Sequence, residues 1–272
     1  MGRCILLSLL LFSSSSQAAF EQVARGARAI SMSGTTVSIE GDFWACYSNP
    51  SCLGSIDGIN LSAEYLPGVF GMPEIKRGAL AASCTLPAGT FALSMSGLGF
   101  ELYHEMRVGI AAARQLNDRV VLGFGLGLYS LAIRGYGSDM AVGLDIGALL
   151  RIVPGISYGV VFRNVNRPAI GDDEETLPQS LSMGVSVHPL PGALVAVCME
   201  KDSRYPFEMS VGVEYCLEDL VALRFGAAHE PSTVAAGIGV RTSLLSLDYA
   251  YTMHPDLGGT HSVSLSVFIP WP

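Results

Sequence analysis

From residue 58 onward, apolar residues alternate with small or polar ones. In 120–128, one parity reads Val, Leu, Phe, Leu, Leu, while the other is largely glycine. The same alternation runs through 180–188 and 207–215. Because successive side chains of a β-strand point to opposite faces, the pattern predicts strands with one apolar face and one face of small or polar residues.

Clusters of Gly, Pro, Asn and Asp divide this region into candidate strands. Their boundaries are 58–66, 78–86, 89–97, 104–114, 119–133, 138–152, 155–164, 179–188, 192–200, 206–215, 220–228, 233–241, 243–253 and 259–269. The division predicts an antiparallel sheet of about 12 to 14 strands, with fourteen favoured. Many of these segments are long enough for a tilted membrane crossing.

The connections between the candidate strands form two alternating sets. If the first strand rises from the periplasm, the outer connections are 67–77, 98–103, 134–137, 165–178, 201–205, 229–232 and 254–258. The connections at the opposite end are 87–88, 115–118, 153–154, 189–191, 216–219 and 242. Bacterial barrels have short periplasmic turns and longer outer loops. The sequence therefore predicts longer connections throughout the outer end and both termini in the periplasm.

Composition decides which medium surrounds the sheet. Apolar residues make up 50% of the chain and charged residues 15%, and mean hydropathy is +0.41. After residue 20 no stretch approaches the roughly 18 apolar residues of a membrane-spanning helix. A soluble β-sandwich also alternates, but here charges are confined to the other parity or to the connections. We therefore predict an all-β fold, a transmembrane antiparallel β-barrel in the outer membrane of a Gram-negative bacterium.

Two further segments precede the barrel. Residues 1–19 combine a basic start, an apolar core and a small-residue end, which is typical of a secretory signal peptide. Residues 20–57 contain GDFWACYSNPSCLG, which is too irregular to span lipid. A barrel of about fourteen strands has room for such a segment. We expect 20–57 to be a plug inside a barrel of residues 58–272, with Trp44 and Tyr47 as its packing surface and Asn49-Pro50 as a fixed bend.

Charged residues on the non-apolar parity are expected to face the lumen. They are Arg107, Asp145, Arg151, Arg163, Glu208, Glu214, Arg224, Arg241 and Asp248. A water-filled pore tolerates such charges, and a plugged barrel pairs them with its plug. We favour a structural role, in which these residues form ion pairs with one another and none binds a solute.

The cysteines, the histidines and the net charge limit the kinds of functional site that are expected in this chain. The segment after the signal peptide holds Cys46 and Cys52 close together, and two states remain open for them, a disulfide or free thiols. The histidines are scattered singly, so neither a metal nor another cofactor is expected. The net charge of −8 gives no basic surface for nucleic acid. The acidic run 172–175 is read as a solvated loop.

Several motifs resemble one known family. Residues 25–29 (RGARA), 32–34 (MSG) and 47–53 (YSNPSCL) follow one another at the spacing of the opening of PorV/PorQ-like proteins, relatives of the long-chain fatty-acid transporters (FadL-like superfamily). Residues 100–105, 134–138, 177–180 and 248–261 are also similar to that group. The resemblance implies a fourteen-stranded outer-membrane barrel with an N-terminal hatch. It implies that Gly26, Gly34, Asn49 and Pro50 serve the hatch fold.

Two functions follow as hypotheses, and a third, catalysis, is not expected. The first is passive transport of a small hydrophobic or amphipathic solute, gated by residues 20–57. The second, implied by the resemblance to PorV, is a membrane-fixed platform for a secretion or surface-attachment partner. An enzyme is not expected, because no nucleophile elbow or catalytic His with Ser or Asp is found. Other expected partners are outer-membrane lipid and the barrel assembly machinery, which would read the terminal aromatic Phe268.

Overall fold

The computed structural model describes residues 19–20, 25–171 and 175–270. The predicted signal peptide, apart from Ala19, and residues 172–174 of the acidic run lie outside these ranges. Within them, no helix combines the length and apolar character needed to cross a membrane.

Sixteen strands and two short helices make up the described fold. The strands are β1 (Ile59–Leu66), β2 (Lys76–Leu86), β3 (Gly89–Phe100), β4 (Tyr103–Gln115), β5 (Val120–Ile133), β6 (Gly137–Val153), β7 (Ile156–Arg163), β8 (Ala169–Ile170), β9 (Glu175–Thr176), β10 (Ser180–Val187), β11 (Ala193–Asp202), β12 (Phe207–Leu217), β13 (Val221–His229), β14 (Thr233–Arg241), β15 (Leu245–His254) and β16 (Gly258–Ile269). The helices are α1 (Ala27–Ser31) and a 3₁₀ helix (Pro50–Ser55).

Fourteen of the strands form a closed antiparallel barrel, and β8 pairs only with β9. Each barrel strand pairs with the next barrel strand along the chain, so that β7 pairs with β10 across the β8–β9 hairpin. Strand β1 closes the barrel against β16 from Ile59↔Ile269 to Tyr65↔Val263. The predicted all-β, fourteen-stranded antiparallel barrel is therefore confirmed. Every predicted strand corresponds to an observed one, with boundaries within a few residues.

The alternation along the strands arises because successive side chains point to the outside and to the inside of the barrel. Large apolar side chains point outward and remain exposed, for example Leu93 at 61% and Phe124 at 56%. The opposite parity carries buried glycine, alanine, serine and charged residues. A surface of this kind suits hydrocarbon, because a closed barrel pairs the backbone of each strand with a neighbour on both sides.

The prediction of longer connections throughout one end is wrong. At that end, 67–75 and 164–179 are long, but 101–102, 134–136, 203–206, 230–232 and 255–257 are as short as the turns at the other end. The ladders continue further than the turn signals indicated. For example, β3 and β4 stay paired up to Phe100↔Tyr103.

Residues 25–56 lie inside the barrel, against the inner face of its wall. Helix α1 contacts β13 to β16, and the 3₁₀ helix contacts β3 to β6. Between them, Val37 lies against Gly159 of β7. We call residues 25–56 the N-terminal segment.

Candidate functional site: the barrel lumen

Asn49 and Pro50 organise the turn that brings the N-terminal segment to β6. The Asn49 side chain caps the 3₁₀ helix, because its Oδ1 accepts hydrogen bonds from Ser51 N at 3.1 Å and Ser51 Oγ at 2.7 Å. Its Nδ2 donates to Val37 O at 2.7 Å. Pro50 begins the helix, where a missing backbone N–H costs nothing. Asn49 is fully buried. Both residues therefore shape the start of the 3₁₀ helix.

Gly26 and Gly34 lie at the two ends of α1. Gly26 has φ +82°, and a Cβ there would lie 2.4 Å from Trp44 Cδ1. Its amide donates to Glu64 Oε1 of the barrel wall at 2.8 Å. Gly34 has φ +77° and donates to Ala29 O at 2.9 Å, which ends the helix.

Trp44 and Tyr47 belong to an apolar cluster between the N-terminal segment and the wall. Trp44 is buried, and its ring centroid lies 6.0 Å from that of Tyr47. The Tyr47 hydroxyl donates to Leu80 O of β2 at 2.8 Å. The wall side of the cluster consists of small or branched residues, including Ala81, Ala92, Ala111, Ala113, Val121 and Leu149.

Cys46 and Cys52 belong to the same apolar cluster, and both are free thiols. The disulfide left open by the sequence is therefore not formed in the structure. Cys52 Sγ donates to Val37 O at 3.3 Å instead. Burial raises the pKa of the Cys46 thiol to about 12, and burial also raises the pKa of the Cys52 thiol. Both groups are thus held as neutral, apolar side chains.

Two ion-pair networks attach the N-terminal segment to the wall. In the first, Arg28 Nη2 lies 2.7 Å from Glu214 Oε1 and Arg28 Nη1 lies 3.5 Å from Asp42 Oδ2. Arg224 pairs with the same Glu214 and with Asp248, the latter at 2.6 Å. Burial acts to lower the pKa of Arg28, but Glu214 and Asp42 outweigh it and raise the pKa above its ordinary value.

The second network lies near the start of β7. Arg151 Nε donates to Glu40 Oε2 at 2.7 Å. Glu40 also accepts hydrogen bonds from Ser55 Oγ at 2.6 Å and Ser157 Oγ at 2.7 Å. Burial acts to raise the pKa of Glu40, but these three donors outweigh it and hold the pKa below its ordinary value.

A cavity of about 50 Å³ lies beside the N-terminal segment. Arg107 crosses it, with its guanidinium 5.7 Å from the Tyr47 ring centroid and 5.5 Å from that of Tyr129. Arg107 Nη2 also lies 3.3 Å from Asp145 Oδ2. Arg25, Glu105 and Arg163 complete the charged part of the lining. We call this space the chamber.

Arg163 connects the chamber to both the N-terminal segment and the wall. Its Nη2 donates to Ser48 O at 2.6 Å, and its Nη1 lies 3.3 Å from Glu200 Oε2.

An apolar cluster lies against the chamber on the side of the long connection 164–179. The Phe20 ring packs edge-on against Tyr129, with ring centroids 5.1 Å apart. Ile170 and Leu177, both from that connection, are buried in the same cluster. The connection is held by Asn164, whose amide N–H donates to Asp145 Oδ1 at 2.9 Å.

Glu208 and Arg241, the other charged residues predicted to face the lumen, are less buried than Arg224 and Asp248. Glu208 is half-buried on the inner face of β12, directly opposite Glu200 in the strand register. Arg241 has the inward parity but is exposed at the end of β14. Phe268 of β16 stacks on Phe43 of the N-terminal segment, with ring centroids 6.4 Å apart.

Sequence reasoning missed several charged residues of the lumen. They are Arg25, Arg28, Glu40, Asp42, Glu64, Arg77, Glu105 and Glu200. The parity rule applied to the other strands would have found Glu64, Glu105 and Glu200. The residues of the N-terminal segment follow no such period, so no sequence signal marked them. Among the described residues, no group of three or more His, Cys, Asp or Glu side chains lies close enough together to hold a metal ion.

No protein-family model and no curated protein sequence matches the chain. Solved structures do match it. The CymD monoaromatic hydrocarbon channel superposes with a TM-score of 0.71 at 13% identity, covering 93% of this chain and 100% of that one. The chain has a FadL-like barrel fold. The Pseudomonas putida toluene transporter TodX gives a TM-score of 0.68 at 12% identity, covering 90% of this chain and 96% of that one. 

A Pseudomonas aeruginosa FadL homologue gives a TM-score of 0.63 at 12% identity, covering 89% of this chain and 97% of that one. The FadL-like fold expected from the sequence motifs is thus confirmed. The narrower resemblance to PorV/PorQ-like proteins stays a prediction, because identities this low identify a fold alone.

Proposed function

We propose that this FadL-like barrel lies in the bacterial outer membrane and lets a small hydrophobic or amphipathic solute pass passively. Residues 20–57 act as a plug that must move for passage, and both termini face the periplasm. The observation that carries the proposal is the chamber, where an aromatic cluster borders a set of arginines inside a closed barrel.

The outer surface supports a membrane location. Large apolar side chains such as Leu126, Ile146 and Val213 are exposed on the barrel wall. In water such a surface would cost about 25 cal/mol per Å² of apolar area. The export signal read from residues 1–19 is consistent with the same location.

The two sides of the chamber suit a solute with one apolar and one polar end. Phe20, Leu98 and Tyr129 offer apolar contacts, while Arg107 and Arg163 offer guanidinium donors. The structures with this fold include channels named for monoaromatic hydrocarbons and a toluene transporter. Those names support a hydrophobic solute for the present chain as well.

The volume of the chamber implies a gate. At about 50 Å³ the chamber has room for a few water molecules, since about 10–15 Å³ of such space is enough for one, but it is smaller than the roughly 150 Å³ cavity that admits benzene. The Phe20 ring, itself a monoaromatic group, occupies the apolar side. A solute therefore enters only if Phe20, or more of residues 20–57, moves away.

Uptake of toluene and of an aromatic carboxylate into proteoliposomes tests the proposal. Phe20→Ala opens space on the apolar side and is expected to raise uptake severalfold. Phe91→Ala removes the same ring from the lipid-facing side of β3, where it is 44% exposed, and is expected to leave uptake unchanged. If neither the full chain nor a chain lacking 20–57 gives uptake above protein-free vesicles, transport is excluded.

One observation favours the second hypothesis, a platform for a secretion or surface-attachment partner. Five of the seven connections at the proposed outer end are very short, which leaves most of that rim free of protruding loops for docking. Purification from native membranes in mild detergent tests it. A stoichiometric partner is expected if the platform role holds, and recovery of the barrel alone counts against it.

A further inference from the structure

The chamber joins a small polar space to a place that an aromatic ring already fills. Arg107, Asp145 and Glu105 line the space of about 50 Å³. The Phe20 ring lines its apolar side, 5.1 Å from the Tyr129 ring centroid. A group the size of a water molecule fits the space, because it needs about 10–15 Å³, but a second ring does not. A single-ring ligand therefore fits only with its ring in the place of Phe20 and its substituent in the polar space.

Arg107 and Asp145 can both accept a third partner in this space. Arg107 Nη2 lies 3.3 Å from Asp145 Oδ2, which is longer than the about 2.7–2.9 Å of a close charge-assisted hydrogen bond. Asp145 Oδ1 accepts the Asn164 amide N–H at 2.9 Å. A carboxylate has about four acceptor positions and a guanidinium has about five N–H donors. A hydroxyl group can therefore accept a hydrogen bond from Arg107 and donate one to Asp145 at the same time.

Charges of the two signs balance around the polar space. The charged residues of the lining are Arg25, Glu105, Arg107, Asp145 and Arg163. Glu200 adds a third carboxylate, because its Oε2 lies 3.3 Å from Arg163 Nη1. An anionic substituent would lie beside these carboxylates, and like charges in a buried site disfavour one another. The lining therefore suits a group that both donates and accepts a hydrogen bond and carries no charge.

We propose that the chamber binds a neutral, single-ring phenol, with its hydroxyl between Arg107 and Asp145 and its ring against Tyr129 in the place of Phe20. Phenol is neutral at neutral pH, because the pKa of a phenolic hydroxyl is about 10. Toluene has the ring but no group for the polar space, and benzoate brings a negative charge among the carboxylates. The inference rests on the proposed function, because it takes the chamber as the place through which the solute passes. It narrows that solute to a neutral one with a hydroxyl group.

Calorimetric titration of the purified barrel in detergent with phenol, toluene and benzoate, each corrected for protein-free micelles, tests the proposal. Phenol is expected to bind about tenfold more tightly than either of the others, a ratio that one hydrogen bond to a charged group supplies. Phe20→Ala vacates the place of the ring and is expected to tighten phenol binding severalfold. Phe91→Ala removes a ring from the lipid-facing side of β3 and is expected to leave it unchanged.

Asp145→Asn tests the charge balance, because it removes the negative charge beside Arg107 and keeps the shape of the side chain. Benzoate is expected to gain about tenfold in affinity relative to phenol in this variant. Asp248→Asn is the matched control. Asp248 is also a buried inward carboxylate, 2.6 Å from Arg224, but it lies on β15. This control is expected to keep the wild-type preference for phenol.

Benzoate or toluene bound as tightly as phenol overturns the proposal, as does an unchanged ratio in a folded Asp145→Asn chain. Heat-modifiable migration reports folding, and if Asp145→Asn does not fold, the ratio of phenol to benzoate affinity in Phe20→Ala decides. Phenol binding to neither the wild type nor Phe20→Ala also overturns it. Toluene uptake into proteoliposomes separates this inference from the proposed function. Uptake without a preference for phenol leaves transport standing, whereas phenol binding without any uptake contradicts transport alone.

Discussion

Single glycines on the inner face allow the N-terminal segment to touch the barrel wall with its backbone. A Cβ at Gly123 would lie 2.1 Å from Ser51 N and 2.4 Å from Pro50 C. A Cβ at Gly147 would lie 2.1 Å from Asn49 Oδ1. The face of small residues visible in the sequence therefore has a packing cause, because a larger residue at these positions would displace the turn at Asn49.

Gly123→Ala is expected to destabilise the folded barrel by about 1–3 kcal/mol, the usual cost of overpacking. The added methyl group meets backbone atoms, which have no rotamer that relieves the contact. Gly78→Ala is the control, because a Cβ there lies 3.7 Å from Glu64 O, an ordinary contact. Thermal unfolding in detergent, followed by circular dichroism, measures both variants. Equal midpoints for the two would contradict the close approach.

Cys46 and Cys52 are expected to be free and unreactive in the folded protein. Both are buried, and burial holds their thiols in the neutral form, which is a poor nucleophile. Mass mapping under non-reducing conditions, with alkylation before and after denaturation, checks this. We expect label at both residues only after denaturation. A peptide containing Cys46 bonded to Cys52 would contradict the structure.

Lowering the pH is expected to loosen the N-terminal segment near Glu40. Because the pKa of Glu40 is held below its ordinary value of 4.5, its stabilising contribution is present above that value. The contribution is lost as the pH falls through the lowered pKa. Acrylamide quenching of Trp44, in a Trp271→Phe background, is expected to rise as the pH falls from about 6 to about 3.

Glu40→Gln is the control for this pH dependence, because it cannot titrate. Its quenching at about pH 6 is expected to exceed that of the wild type and to change less on acidification. Identical profiles for Glu40→Gln and the wild type would show that the attachment of the segment does not depend on this carboxylate.

Among the strands, period-two alternation was enough to place every member of the barrel. The connections were harder to predict. Gly99 was predicted to lie in a connection, yet it pairs within the ladder, opposite His104. Glycine is a turn signal because it tolerates many conformations, but extended backbone is one of them. Hairpin β8–β9 carries only two-residue strands and gave no periodic signal.

Removing residues 263–272 is expected to abolish membrane insertion. The deletion takes away Val263 to Ile269, which form the ladder with β1 and part of the ladder with β15. Both edges of the sheet would then be open in lipid, where unpaired backbone groups are costly. Heat-modifiable migration of the truncated chain measures the outcome. Migration like that of the full-length chain would contradict the requirement for closure by β16.

Taken as a whole, the molecule is a barrel whose lumen differs from one side to the other. Parity in the sequence correctly separated outward apolar residues from inward ones on the strands. It did not predict that Arg28 and Glu40 attach the N-terminal segment, because an aperiodic chain gives no indication of its path. The partners of Arg107 and Arg163 likewise depend on strand register and on where residues 25–48 lie.

The central claim is that hydrocarbon surrounds the barrel while residues 25–56 fill its lumen. Fluorescence quenching by lipids with brominated acyl chains tests it most directly. Leu126→Trp, made in a Trp44→Phe, Trp271→Phe background, places a probe on the outward face of β5, where Leu126 is 40% exposed. The account predicts strong quenching of this probe and almost none of Trp44 in a Trp271→Phe chain. Equal quenching of both probes, or quenching of Trp44 alone, would contradict it.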